Sequence, residues 1–181
     1  MTTILGISGS LRKASLNTAL LRAAVGLMPE GATLEPAGIE GIPLYDGDVE
    51  AEGIPPAVSA LKARLLAADG LLLVTPEYNN SIPGPFKNAI DWMTRPEDEV
   101  ARHFRDKPVA VIGASIGSFG TILSQAAWLP VLRTLRMRPW FGGRLMVTRA
   151  EGLMQDGELA DPRTRERLEQ FLAGFVDFVR G

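Results

Sequence analysis

The sequence predicts an α/β protein: a doubly wound, five-stranded parallel sheet with helices on both faces. Three observations carry that expectation. Short apolar runs alternate with amphipathic segments along the whole chain, the pattern of repeated β–α units. Two of the runs, Leu71–Val74 and Val109–Ile112, are continuously apolar, as strands covered on both faces must be. Pro55, Pro83 and Pro162 stand where helical patterns begin, and there a fixed φ and a missing N–H do no harm.

Taken in order, the first strand is expected at Thr3–Ile7. A polar loop then leads into a helix over Ser15–Met28, in which Leu20, Leu21, Ala24, Val25 and Met28 recur at helical spacing. A second strand is expected at Thr33–Pro36. The stretch Gly38–Gly53 is turn-rich and acidic, a surface excursion before the helix Pro55–Ala68, which Asp69-Gly70 stops. The third strand, Leu71–Thr75, feeds the loop Pro76–Pro85 and the helix Pro83–Met93. A charged segment, Glu97–Lys107, precedes the fourth strand at Val109–Ala114. The helix Thr121–Leu135, the strand Arg144–Thr148 and the helix Pro162–Val179, opened by Asp161, complete the pattern. With no internal repeat, low-complexity tract or linker, residues 1–181 read as one domain.

Composition narrows the function. The 19 Lys and Arg against 21 Asp and Glu leave a net charge of −2, which offers no basic footprint for nucleic acid. No apolar run approaches a membrane span, and no basic-then-apolar leader opens the chain. A cytoplasmic protein is therefore expected. Cysteine is absent and His103 is the single histidine, so thiol chemistry, thiolate metal sites and His-rich metal sites are excluded. Any redox work must be carried by a bound cofactor.

In an open parallel sheet, ligands sit beyond the carboxyl ends of the strands. Three loops fall there. In and beside Ser8–Asn17, hydroxyls at Ser8, Ser10, Ser15 and Thr18, the amide of Asn17 and the guanidinium of Arg12 surround a helix start. Unpaired N–H groups and the helix dipole favour an anion at such a place, and an arginine fork suits phosphate. The loop lacks both G-x-x-x-x-G-K-[ST] and G-x-G-x-x-G. An ordinary β–α connection with Ser15 or Asn17 as cap would use the same residues, so the loop alone leaves phosphate binding open. In the second loop, Pro76, Glu77, Tyr78 and Asn79 begin a proline-stiffened stretch with an aromatic and two amides, a wall suited to a flat heteroaromatic ligand; a tight turn with Tyr78 as a surface aromatic is the plain alternative. The third loop, Gly113–Gly120, permits two functional readings. Gly113-Ala114-Ser115-Ile116-Gly117 matches the G-x-S-x-G nucleophile elbow, but that chemistry needs a histidine after the serine, and His103 precedes it. The other is a glycine-rich approach to a ligand, with a turn that binds nothing as the third possibility. Trp92 and Met93 are expected to serve packing or a subunit contact, and Trp128 and Trp140 the core or an interface. Arg133, Arg136 and Arg138 cluster near a helix end, where positive charge complements the dipole.

Gly9–Asn17, Pro76–Trp92 and Gly113–Gly120, in this order and spacing, resemble the NADPH-dependent FMN reductase family, in particular its bacterial quinone and chromate reductases. The run Thr75-Pro76-Glu77-Tyr78-Asn79, with Ser81, Pro83-Gly84 and Lys87-Asn88-Ala89-Ile90-Asp91-Trp92, carries most of the likeness. Pro43-Leu44-Tyr45-Asp46 and the stretch from Asp156 to Phe178 extend it over essentially the whole chain. The resemblance implies a flavodoxin-like fold with strand order 2-1-3-4-5 and a non-covalent FMN. It implies a phosphate held by Ser10, Arg12, Ser15 and Asn17, and an isoalloxazine lying against Pro76, Glu77, Tyr78 and Asn79, with Ser115 and Gly117 near the other edge. No side chain is expected to be catalytic and no metal to be bound. The expected function is hydride transfer from NADPH or NADH, through FMN, to a small-molecule acceptor: a quinone, free flavin, azo compound or metal oxyanion such as chromate. A flavodoxin-type electron carrier is the alternative. Family members are usually homodimers or homotetramers, with Pro83–Met93 as a plausible contact surface here. The chain departs from the family at Leu123, where an arginine is frequent, at Trp128 and Pro130, and over Arg138–Gly143.

Overall fold

The computed structural model describes residues 1–181. Its central sheet is parallel, with β1 (Thr2–Ser8), β2 (Ala32–Ala37), β3 (Gly70–Val74), β4 (Pro108–Ala114) and β5 (Arg138–Pro139) in the order β2-β1-β3-β4-β5. Ile4 pairs with Leu34 on one side and Gly70 on the other, and Leu71 pairs with Val109. This is the flavodoxin-like order that the resemblance implies.

Because successive strand residues point to opposite faces, each apolar run feeds two cores. On one face Ile4, Leu72, Val74, Ala110 and Ile112 pack against α1 (Leu16–Val25) and α7 (Pro162–Arg180). On the other, Leu5, Ile7, Leu71, Leu73 and Val109 meet α3 (Pro56–Ala67), α4 (Gly84–Met93) and α6 (Ile122–Thr134). Trp128 is fully buried in this second layer, and Trp92 is fully buried against Tyr45. Trp92 donates its indole N–H to the Pro43 carbonyl at 2.9 Å. Asp161 caps α7, its carboxylate accepting from the Thr164 N–H and hydroxyl. These bonds hold its carboxyl below the ordinary range, so the cap persists at neutral pH and is lost as pH falls through that lowered value.

The fifth strand departs from expectation. Arg144–Thr148 does not form one strand; the sheet edge is shared by two short pieces. Pro108 and Val109 pair with Arg138 and Pro139, whereas Gly113 and Ala114 pair with β6 (Met146–Val147). Between the pieces the chain leaves the sheet because Trp140 turns onto α7, edge-on to Phe171 at 4.9 Å and beside Phe175 at 5.9 Å. Gly142, Gly143 and Gly174 make room for the indole, since a Cβ at each would stand 2.5, 2.7 and 2.9 Å from it.

Three other elements carry too little apolar pattern to be expected. Within Gly38–Gly53 lies α2 (Gly47–Glu52), capped by Asp46 and burying no residue. The charged segment contains α5 (Val100–Phe104) after a 3-10 turn. A hairpin of β7 (Met154–Gln155) and β8 (Glu158–Leu159) is tied to α1 by Arg22, which bonds Glu158 and the Gly157 carbonyl.

Candidate cofactor site

The three loops meet at the carboxyl end of the sheet. The first leaves β1 through Gly9, whose N–H donates to Val74 O at 3.0 Å. A Cβ on Gly9 would lie 2.0 Å from the Phe86 ring of α4, so only glycine lets the loop cross there. Ser15 caps α1, its hydroxyl accepting from the Thr18 N–H at 3.1 Å. The N–H groups of Leu16 and Asn17 bond no protein acceptor. Ser10 is buried, and its hydroxyl accepts from the Arg12 N–H at 3.3 Å. Arg12 and Lys13 are exposed and join no ion pair. Free N–H groups at a helix start, hydroxyls and an unpaired guanidinium make a donor set that fits a phosphate, although Glu151 also lines the pocket beside Arg12 and Ser15.

Asn17 has a role the sequence does not announce. Its side chain is buried and clamps the backbone of Ala114 twice: Nδ2 donates to the Ala114 carbonyl and Oδ1 accepts from the Ala114 N–H, each at 2.9 Å. The side chain thus joins the first loop to the third with one bond at each amide atom, and its backbone N–H bonds no protein acceptor.

The second loop is tighter than its length suggests. Tyr78 and Ser81 exchange backbone hydrogen bonds of 3.1 Å across Asn79 and Asn80, which adopt φ of 49° and 63°. Two successive positive φ values define the type I′ hairpin turn that asparagine tolerates. The turn leaves Tyr78 44% exposed. The Glu77 carboxylate turns away to cap α6, accepting from the N–H groups of Leu123 and Ser124 at 2.8 and 2.9 Å. Beneath it, Thr75 Oγ1 bonds Ser124 Oγ and accepts from the Trp128 indole, at 2.8 and 3.1 Å. Trp128, one of the departures from the family pattern, therefore supports the junction between β3 and this loop. Leu123 stands in the first turn of α6, 46% exposed.

In the third loop, Ser115 Oγ donates to the Gly120 carbonyl at 2.7 Å and accepts from the Gly117 N–H at 3.2 Å. Gly113 is required for packing, since a Cβ there would lie 2.2 Å from both Thr75 O and Thr121 Oγ1. His103 is buried in α5, its Nδ1 facing the Glu99 carbonyl at 2.9 Å, beyond the amino end of β4 and away from Ser115. The G-x-S-x-G match thus describes a packed turn whose serine has no base. Ser115→Ala should retain most of the reductase activity that the resemblance implies, and ester hydrolysis should be absent in both proteins. A serine-dependent esterase rate above background would refute this reading. Arg133 lies in the last turn of α6 and Arg136 and Arg138 follow it, at the end about 20 Å along its axis from the third loop, so they do not face this site. The cavity of about 750 Å³ between the C-terminal halves of α4 and α6 is likewise separate from the three loops.

Comparison with known proteins adds an independent line. The model of a family described as NADPH-dependent FMN reductase matches residues 2–152. The chain is 44% identical over 178 residues to an NAD(P)H-dependent FMN reductase of Pseudomonas aeruginosa, covering 98% of this chain and 95% of that one. It is 34% identical over 175 residues to a 2-hydroxy-1,4-benzoquinone reductase of a Burkholderia species, covering 96% and 94%. The solved structure of FerB, a flavoenzyme NAD(P)H:(acceptor) oxidoreductase of Paracoccus denitrificans, superimposes with a TM-score of 0.85 at 35% identity. It covers 99% of this chain and 98% of that one.

Proposed function

The chain belongs to the NADPH-dependent FMN reductase family, and from that premise we propose how its residues serve the NAD(P)H-dependent oxidoreductase activity that membership brings. The observation that carries the reading is the first loop: free N–H groups of Leu16 and Asn17 beside an unpaired Arg12. Ser10, Arg12, Ser15 and the Asn17 N–H hold the FMN phosphate. The backbone of Pro76, Glu77, Tyr78 and Asn79 walls the flavin ring, with the loop of Ser115 and Gly117 at its other edge. When bound, FMN supplies hydride acceptance from the nicotinamide and electron delivery to a second substrate.

The protein's own part is positioning. Asn17 fixes the distance between the phosphate loop and the third loop, Glu77 fixes the second loop to α6, and the I′ turn presents Tyr78 to the pocket mouth. Such prior ordering spares the bound complex an entropic cost. The acceptor is a small molecule, a quinone first; free flavin, azo compounds and chromate belong to the same reading. Residues 1–181 act as one unit in the cytoplasm, as a homodimer or homotetramer with α4 at the contact. No helix is long and apolar enough to cross a membrane.

The experiment is steady-state kinetics with nicotinamide and benzoquinone varied together. Parallel double-reciprocal lines are expected, because both substrates use one pocket in turn. Tyr78→Ala should change benzoquinone kcat/KM several-fold while FMN dissociation stays within about twofold, its phosphate contacts being intact. Intersecting lines, or unchanged quinone kinetics in Tyr78→Ala, would place the pocket elsewhere.

A further inference from the structure

One peptide unit of the second loop is fixed from behind by buried side chains. Thr75 Oγ1 lies 2.9 Å from the Pro76 carbonyl oxygen, 2.8 Å from Ser124 Oγ and 3.1 Å from the Trp128 indole nitrogen. Thr75, Ser124 and Trp128 are all fully buried. The Thr75 hydroxyl has one hydrogen, and an indole N–H only donates. The Pro76 carbonyl has no other donor in the protein, so Thr75 donates to it and accepts from both Ser124 and Trp128. The Pro76–Glu77 peptide is trans, and a planar trans peptide points its C=O and N–H in opposite directions. Drawing the carbonyl inward, toward α6, therefore turns the Glu77 N–H outward, and that N–H bonds no protein acceptor. Both sides of the unit are held: Thr75 N–H donates to Ile112 O at 2.8 Å, and the Glu77 carboxylate is tied to α6.

We propose that Thr75 is a positioning residue for the cofactor. Backed by Ser124 and Trp128, it locks the Pro76–Glu77 peptide so that the Glu77 N–H donates to an acceptor atom of the flavin ring. This rests on the reading that the ring lies against Pro76, Glu77, Tyr78 and Asn79. Within that wall Pro76 has no N–H, Tyr78 N–H is spent on Ser81 O, and Asn79 belongs to the turn. Glu77 is thus the residue whose free donor is fixed in direction. The lock also excludes the opposite orientation, in which a carbonyl would face the ring and select its protonated, reduced form. A donor fixed in advance needs no reordering when the ring binds or changes oxidation state. Trp128, absent from the family pattern, gains a role in this way: its indole N–H helps hold the hydroxyl that holds the peptide.

The test follows amide exchange and flavin potential in FMN-loaded protein. The Glu77 N–H should exchange at least about tenfold more slowly than that of Asn80, which likewise bonds no protein acceptor and lies outside the wall. Thr75→Val keeps the shape of the side chain and removes its hydroxyl. It should abolish that difference and shift the midpoint potential of bound FMN. It should also weaken FMN binding about fivefold, the loss of one hydrogen bond. Thr75→Ser, which keeps the hydroxyl, should restore all three. A residue that only supported the fold would change stability and leave Glu77 exchange and the potential where they were. Should Thr75→Val fail to fold, the comparison of Glu77 with Asn80 in the unaltered protein still decides. FMN retained with Glu77 exchanging as fast as Asn80, or an unchanged potential in Thr75→Val, would overturn the proposal and leave the cofactor reading standing. Failure to retain FMN at all would remove both.

Discussion

Asn17→Ala is expected to destabilise the protein by about 2–6 kcal/mol, since it strips partners from a buried N–H and a buried C=O at about 1–3 kcal/mol each. Both belong to Ala114, at the end of β4. Losing the clamp also frees the third loop from the first, so FMN should bind more weakly even though the Asn17 N–H survives. Asn17→Asp separates the effects. It keeps the acceptor for the Ala114 N–H, but it sets a carboxylate against the Ala114 carbonyl and close to the phosphate. Its loss of FMN affinity should therefore exceed that of Asn17→Ala relative to its loss of stability. Urea unfolding with and without FMN measures both quantities. A stability change for Asn17→Ala within about 0.5 kcal/mol, the range of an ordinary surface substitution, would dismiss the clamp.

The second large effect is on ligand choice. Arg12→Ala removes the one guanidinium of the phosphate loop, and a hydrogen bond to a charged group contributes about 1.5–3 kcal/mol. FMN should then bind about 10- to 150-fold more weakly, while riboflavin, which has no phosphate, should change little. Arg12→Lys should recover only part of the loss, because an ammonium keeps the charge without the planar fork. Since Arg12 is exposed and unpaired in the protein, stability without ligand should not move. Equal losses for FMN and riboflavin would show that Arg12 does not read the phosphate.

What could be read in the sequence follows from the range of the interactions. Strands buried on both faces and helices opened by proline declare themselves locally, so β1 to β4 and the long helices fall within a few residues of expectation. The donor set of the first loop is legible for the same reason: its hydroxyls, its cap and Arg12 are neighbours in the chain. The fifth strand was not, because its break depends on Trp140 finding Phe171 and Gly174 on α7. The short α2 buries nothing and so has no periodicity to show. Two supports of the site were hidden for a similar reason. The Asn17–Ala114 clamp spans 97 residues and the Glu77 cap 46 and 47. In the sequence, Asn17 and Glu77 look like ligands for a cofactor; in the fold, their side chains also tie the loops to the neighbouring elements.

The central claim is that bound FMN exchanges electrons with a nicotinamide and a small acceptor in one pocket. Anaerobic titration of the FMN-loaded protein, followed in the visible flavin band, tests it most directly. NADPH or NADH should bleach the band in proportion to the amount added, and one equivalent of benzoquinone should restore it. A band that dithionite bleaches but neither nicotinamide does would contradict the account, and would leave a flavodoxin-type electron carrier in its place.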